Sequence, residues 1–330
     1  MHKNPIKLRK QIYRSFSENE RSIPLFLKGW WLDVTCGEDK WDVALVMDDN
    51  KVIAAHPYCI VVKRVFLKDF IKLTQPQLTQ FLGPWFKLES GKYTRILSRQ
   101  KKLLKSLLVQ LPRFDIYSQN WHYSITNWLP FYWEGFSQTT RYTYVLPDLT
   151  DLNKIWSGFQ ENIRREIRKS IKRYNLQVVE DVDLDIFLNL HKKVFNRQGK
   201  SLPYPESYVR RLDDECMRRK CRKIFTAEDS QGRYYASVYI VWDQNSAYYL
   251  MGGSDPLLRN SGAMSLCMWH AIRFAAKVTK KFDFEGSMLE SVERYFRAFG
   301  AIQTPYFHVE KVSSKMLELF KCLRDILMGR

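Results

Sequence analysis

The chain has no run of 18 uncharged apolar residues, so no stretch reads as a membrane-spanning helix. It has no Cys-x-x-Cys pair and no Cys/His spacing that would hold zinc. Its six cysteines (Cys36, Cys59, Cys216, Cys221, Cys267, Cys322) stand apart and are expected to be reduced, mostly buried thiols. None of the six histidines has a second catalytic partner at a recognisable spacing, and no Ser/His/Asp set emerges. No metal is expected. The opening MHKNPIKLRKQIYRSFSENE is basic but has no apolar core of the kind a secretory signal needs. The expected place of the protein is therefore the cytoplasm, free or peripheral at the inner membrane face. Negative charge is scarce as well: 35 Asp and Glu stand against 53 Lys and Arg, for a net charge of +18. Residues 1–150 hold 22 basic against 13 acidic side chains and residues 151–330 hold 31 against 22. The excess is thus shared and is not a tail. Such a field attracts polyanions in general, among them CoA, nucleotide-linked sugars, tRNA and anionic membranes.

With 330 residues, 45% of them hydrophobic, the chain can build one large or two ordinary domains. Its organising stretch is Ser246 to Ser287. Ala247 to Met251 is a β-type run stopped by Gly252-Gly253-Ser254-Asp255-Pro256. Arg259-Asn260-Ser261-Gly262-Ala263 then opens a helix in which Met264, Cys267, Met268, Ala271, Ile272, Ala275 and Ala276 recur at helical spacing. Phe282 to Glu285 reads as the next strand, closed by Gly286. The first amides of a helix lack internal partners, and small residues there let a phosphate approach. Ser261, Gly262 and Ala263 supply the smallness and Arg259 the charge. Asn260 or Ser261 serves equally well as a plain N-cap.

This strand, Arg-x-x-Gly-Ala loop, helix and strand resembles the acyl-CoA core of the GNAT acyltransferases, with Met264 in place of the final small residue of their loop. Phe282 to Gly300 (FDFEGSMLESVERYFRAFG) is similar to the FemAB-like and single-chain GNAT proteins associated with bacterial surface polysaccharides. The resemblance implies an α/β fold of two tandem GNAT-like domains, each a mixed central sheet flanked by helices, divided as 1–148 and 149–330. The first half has no counterpart of the Arg259 to Ala263 loop, so it is expected to be degenerate and to serve the acceptor. Two neighbouring strands that splay apart would admit the thioester. Backbone at Met251 and Gly252 would meet its oxygen, and Arg259 to Ala263 would hold the pyrophosphate of an acyl-CoA such as acetyl-CoA.

Glu285, ending the second strand, is the candidate base, and a salt bridge or helix-end contact is its bland alternative. Tyr295 is the candidate acid to the leaving group, and Asp283, on the alternate face, is expected to be structural. Trp85, Trp128, Phe131 and Trp133 lie in aromatic loops that stack on an acceptor sugar or simply pack an interface. Asp151 to Tyr174 reads as one long amphipathic helix with Leu152, Ile155, Trp156, Phe159, Ile163, Ile167 and Ile171 on its apolar face. Opposite lie Arg164, Arg165, Arg168, Lys169, Lys172 and Arg173, either a solvated face or a site for an anionic ligand or tRNA, with Arg168 the ligand-binding candidate. The first function expected is N-acyl transfer from acyl-CoA to an amine-bearing sugar or related cell-envelope precursor. The second is the aminoacyl-tRNA-dependent peptidyl transfer that the FemAB likeness implies, although the coiled-coil arm of that group is missing. The third is RNA binding without catalysis, for which no RNP, KH or zinc-knuckle signature is present.

Overall fold

The hydrophobic periods become helices and strands much where their spacing puts them, in a computed structural model that describes residues 5–65, 68–87, 89–314 and 317. In chain order these are α1 (Pro5–Asn19), α2 (Gly29–Cys36), β1 (Trp41–Asp48), β2 (Lys51–Val65), β3 (Lys68–Thr74), β4 (Trp85–Phe86), α3 (Tyr93–Val109), β5 (Ile116–Asn120), α4 (Leu129–Trp133) and β6 (Ser137–Leu146). There follow α5 (Leu152–Gly158), α6 (Glu161–Lys172), β7 (Gln177–Glu180), α7 (Leu184–Asn196), α8 (Glu206–Arg218), β8 (Arg222–Glu228), β9 (Tyr234–Trp242), β10 (Ala247–Ser254), α9 (Ala263–Val278), β11 (Phe282–Asp283), α10 (Glu290–Arg297) and β12 (Ile302–Val312).

The chain divides between Arg141 and Tyr142, ahead of the boundary expected from the sequence, and Pro305–Arg330 returns to the first unit. That unit, 1–141 with 305–330, holds a mixed sheet in the order β1-β2-β3-β5-β12, with β4 on β2. Its β3–β5 pair is parallel and its other pairs are antiparallel. Tyr58, Leu73, Tyr117, Trp121, Phe131, Phe136 and Val309 fill the core beneath α3 and α4. The second unit, 142–304, orders its sheet β6-β11-β10-β9-β8-β7, with only β10–β11 parallel. Here α9 packs on β8 and β9, α7 on β10, and α6 on α9. The fold is mixed α/β, each unit a sheet flanked by helices.

Several expectations need correction. The helix expected from Asp151 to Tyr174 is two helices. Phe159 turns to an extended conformation to bury its ring, and the Gln160 amide leaves the helical ladder to donate to the Ala298 carbonyl at 2.8 Å. Periodicity alone cannot register that break, because the apolar phase continues across it. Ile171, expected on the buried stripe, is 50% exposed one residue before α6 ends. Cys36 and Cys59, expected as separate thiols, are joined as a disulfide across a Cα–Cα distance of 6.3 Å, since the β1–β2 pairing carries Cys59 back to the end of α2. Cys216, Cys221 and Cys267 are free and buried. The helix expected from Ser313 to Met328 lies outside the described residues, as does Cys322.

Candidate active site

In the second unit β10 and β11 pair only at Ala247–Phe282 and Tyr248–Asp283. Beyond that β10 continues along β9 as far as Ser254, while the Phe284 amide goes to the Tyr144 carbonyl on β6. The two strands therefore part. The parting is built by Glu285 and Gly286, both with left-handed φ (58° and 65°). A Cβ on Gly286 would lie 2.2 Å from the Tyr142 carbonyl oxygen, so only glycine fits there. On the other strand the Gly252-Gly253 pair is equally constrained. A Cβ on Gly252 would meet the Tyr249 hydroxyl at 1.9 Å, and one on Gly253 the His191 backbone nitrogen at 2.4 Å. Both glycines permit close approach: Gly252 to a ring, Gly253 to the backbone of α7. Met251 beside them is buried.

A network of titratable groups collects where the strands part. Asp283 is 1% exposed; its Oδ1 accepts from the Thr143 hydroxyl and from the Glu285 amide, and its Oδ2 finds no hydrogen-bond partner among the described residues. Burial pushes its carboxyl up to about 6. Burial, and then the neighbouring Asp283, hold Glu285 well above the carboxylate range. Two neighbouring carboxyls in such surroundings hold their protons more tightly than isolated ones. On the α7 side His191 Nδ1 lies 2.7 Å from the Gly252 carbonyl, which can only accept. The proton is therefore on Nδ1. With burial lowering the imidazole's basicity, Nε2 accepts from the Tyr204 hydroxyl at 2.9 Å. Burial, more than the nearby Glu285, raises the phenols of Tyr204 and Tyr249.

The acid pair has a consequence for stability. Asp283 holds its proton more tightly folded than unfolded, so its contribution is complete below about pH 4 and is lost as pH rises through about 6. From 3.8 to about 6 is about two units, or about 3 kcal/mol. Urea unfolding should show a decline of that order between about pH 4 and 8, and Asp283→Asn should flatten it. A wild-type protein that gained stability over the same interval would contradict the assignment.

At the start of α9 the expected phosphate cradle is filled by the protein itself. Ser261, Gly262 and Ala263 are buried, whereas Arg259 and Asn260 are exposed. Gly262 has φ 82°, and a Cβ there would lie 2.3 Å from the Glu166 carbonyl oxygen on α6. Ser261 Oγ, one residue before the Gly262 N-cap, accepts from the Ala263 amide at 3.3 Å. Ser265 Oγ, in the first turn of α9, donates to Glu166 Oε2 at 2.6 Å and lies 3.3 Å from the Tyr295 hydroxyl. A carboxylate thus occupies the first turn of α9, and the small residues admit helix α6. These residues do not fit the diphosphate of CoA. Gly262→Ala should cost roughly 3 kcal/mol, from positive φ and overpacking together, read as earlier urea unfolding. Unchanged unfolding would show that α6 moves freely off the loop.

Tyr295 is half-buried, its phenol raised by desolvation, with its ring against Phe296 and Phe299. Arg168 is exposed and pairs with Glu161 at 3.0 Å. Of the four aromatic candidates in the first unit, Trp85 and Phe131 are core side chains, Trp128 is half-buried and Trp133 is 52% exposed. His191, Tyr204 and Glu166 escaped sequence reasoning. Each sits on a helix or loop far along the chain from the strands it serves, and none carries a local motif. Among the described residues no group of His, Cys, Asp and Glu could hold a metal ion, and no helix is long and apolar enough to cross a membrane.

Residues 157–297, within the second unit, match the family model described as acetyltransferase (GNAT) domain. Over nearly the whole chain the fold is similar to the crystal structure of FemX (TM-score 0.65, 12% identity, 93% of this chain and 96% of that one). It is also similar to the C-terminal domain of a putative lysylphosphatidylglycerol synthetase from Agrobacterium fabrum (0.53, 9%, 97% of each chain) and to L-PGS from Bacillus licheniformis (0.53, 12%, 99% of this chain and 98% of that one). Identities this low establish the fold alone. No curated protein matches the chain.

Proposed function

We propose that the protein is an N-acyltransferase of the cell envelope whose donor is an aminoacyl-tRNA rather than an acyl-CoA. The observation that carries the choice of donor is Glu166, whose side chain and backbone fill the mouth of α9. A CoA donor needs that mouth for its diphosphate, whereas an aminoacyl ester brings its phosphates along a longer polynucleotide. Helix α6 offers such a chain Arg165, Lys169 and Lys172, which make no ion pair among the described residues, with Arg173 beside them. The likeness to a structure whose name joins lysine to phosphatidylglycerol supports the same reading. The missing coiled-coil arm weighs the other way, but an absent insertion is weaker ground than a filled site.

In this reading the acceptor amine attacks the ester carbonyl in the gap between β10 and β11. The C–N bond forms, the bond to the terminal ribose oxygen breaks, Glu285 in its ionised form takes the amine's proton, and the leaving oxygen receives one from Tyr295. The Gly252 region lines the gap, its carbonyl fixed by His191. The first unit takes the acceptor side, with Trp128 and Trp133 as the candidate rings that reach solvent. The test is to offer radiolabelled aminoacyl-tRNA and acetyl-CoA in parallel with amine-bearing envelope precursors. Amide formation from the tRNA ester supports the proposal, and transfer from acetyl-CoA with the tRNA ester inert overturns it.

A further inference from the structure

Helix α4 in the first unit exposes apolar side chains in a way its packing does not explain. Pro130 and Phe131 anchor it in the core, while Leu129, Tyr132 and Trp133 are 40%, 58% and 52% exposed. The Tyr132 ring is held edge-on to Trp128 at 5.5 Å. Three neighbouring large side chains facing water form a patch, which is not the ordinary scatter of surface apolar residues. Lysines surround it. Helix α3 packs against α4 and sets the ammonium groups of Lys101 and Lys105 over the Trp133 ring, 5.6 and 5.4 Å from its centre. Lys311 on β12 donates to the Glu134 carbonyl and sits 5.0 Å from the Phe136 ring. Glu134 is the one carboxylate on the tip itself.

We propose that this corner docks the protein on the surface of an anionic lipid bilayer, with Trp133, Tyr132 and Leu129 entering the headgroup region and the three lysines pairing with lipid phosphates. Tryptophan and tyrosine favour that depth because each ring has an apolar body and a polar edge. Lysines placed just behind such rings supply attraction to anionic lipid, and neither group alone holds a protein there firmly. A nucleic acid would take the lysines but gives Leu129 nothing to enter, so the observations favour lipid. The inference deepens the acceptor-side reading of the first unit, since it has the acceptor met at a membrane. Its test needs neither donor nor acceptor, so it stands or falls apart from transfer activity.

The full chain is sedimented with vesicles of phosphatidylcholine alone and of phosphatidylcholine with 30% phosphatidylglycerol (about the fraction that makes a strongly anionic surface). Binding is expected only to the anionic vesicles, with Trp133 fluorescence shifting to the blue. Lys101→Gln/Lys105→Gln/Lys311→Gln should weaken it on the order of 100-fold, and Trp133→Ser at least about fivefold. Trp133→Phe should restore most of that loss, and circular dichroism checks that each variant is folded. Equal binding to both vesicles, no binding to either, or binding that the Trp133→Ser variant keeps in full would each overturn the proposal. So would loss of vesicle binding to a low excess of RNA while the fluorescence stays unshifted.

Discussion

Replacing Glu285 with glutamine should lower transfer by roughly 10²- to 10⁴-fold, the range a positioned base supplies, while leaving the protein as stable or more stable above neutral pH. The two halves of this outcome come from one cause. Glu285 lies half-buried beside Asp283, and desolvation and then the neighbouring charge hold its carboxyl well above the usual range. A carboxyl raised in this way is a stronger proton acceptor once ionised than an ordinary carboxylate, which suits a base for an amine nucleophile. The same burial makes its ionised form costly, so a neutral amide of like shape relieves the fold as pH rises. Backbone strain at φ 58° is unchanged by the substitution. A purely structural Glu285 gives a different pattern, with transfer intact in the glutamine variant. Measuring transfer rate and urea midpoint of both proteins from about pH 6 to 9 separates the two, and intact transfer removes Glu285 as the base.

Reversing the charge of Arg165, Lys169, Lys172 and Arg173 to glutamate should weaken tRNA binding on the order of 100-fold near physiological salt and lower the salt slope by about 3. Successive positions three and four apart put these side chains on one face of α6, away from the buried Ile163 and Ile167. Arg164 and Arg168 are already engaged with Glu161, so they are left untouched in the variant. Filter binding across a salt series reads both numbers. An unchanged slope would mean that α6 is a solvated face and that the donor is held elsewhere, which would also weaken the choice of aminoacyl-tRNA. Glu166, on the same helix but turned toward Ser265, is not part of this test.

The sequence alone located most of the elements, because hydrophobic period and glycine punctuation are local properties. Helix α7 and strand β9 fall on their expected residues, and Glu285 falls at the parting of the strands. The sequence also placed the small-residue loop Ser261-Gly262-Ala263 at a helix start, where it lies. What that smallness is for was beyond it, since a glycine that admits a phosphate and one that admits a helix backbone look alike in a string of letters. Only the packing of α6, far back along the chain, decides between them by bringing the Glu166 carbonyl onto Gly262. Likewise the aromatic loops read as one class, yet Phe131 is sealed in the core and Trp133 stands in water two residues later. The pairing of Cys36 with Cys59 and the chain from Gly252 through His191 to Tyr204 belong to the same category. Local order fixed the pieces; contacts between residues distant in sequence fixed which atoms share a dry, charged space, and there the chemistry is set.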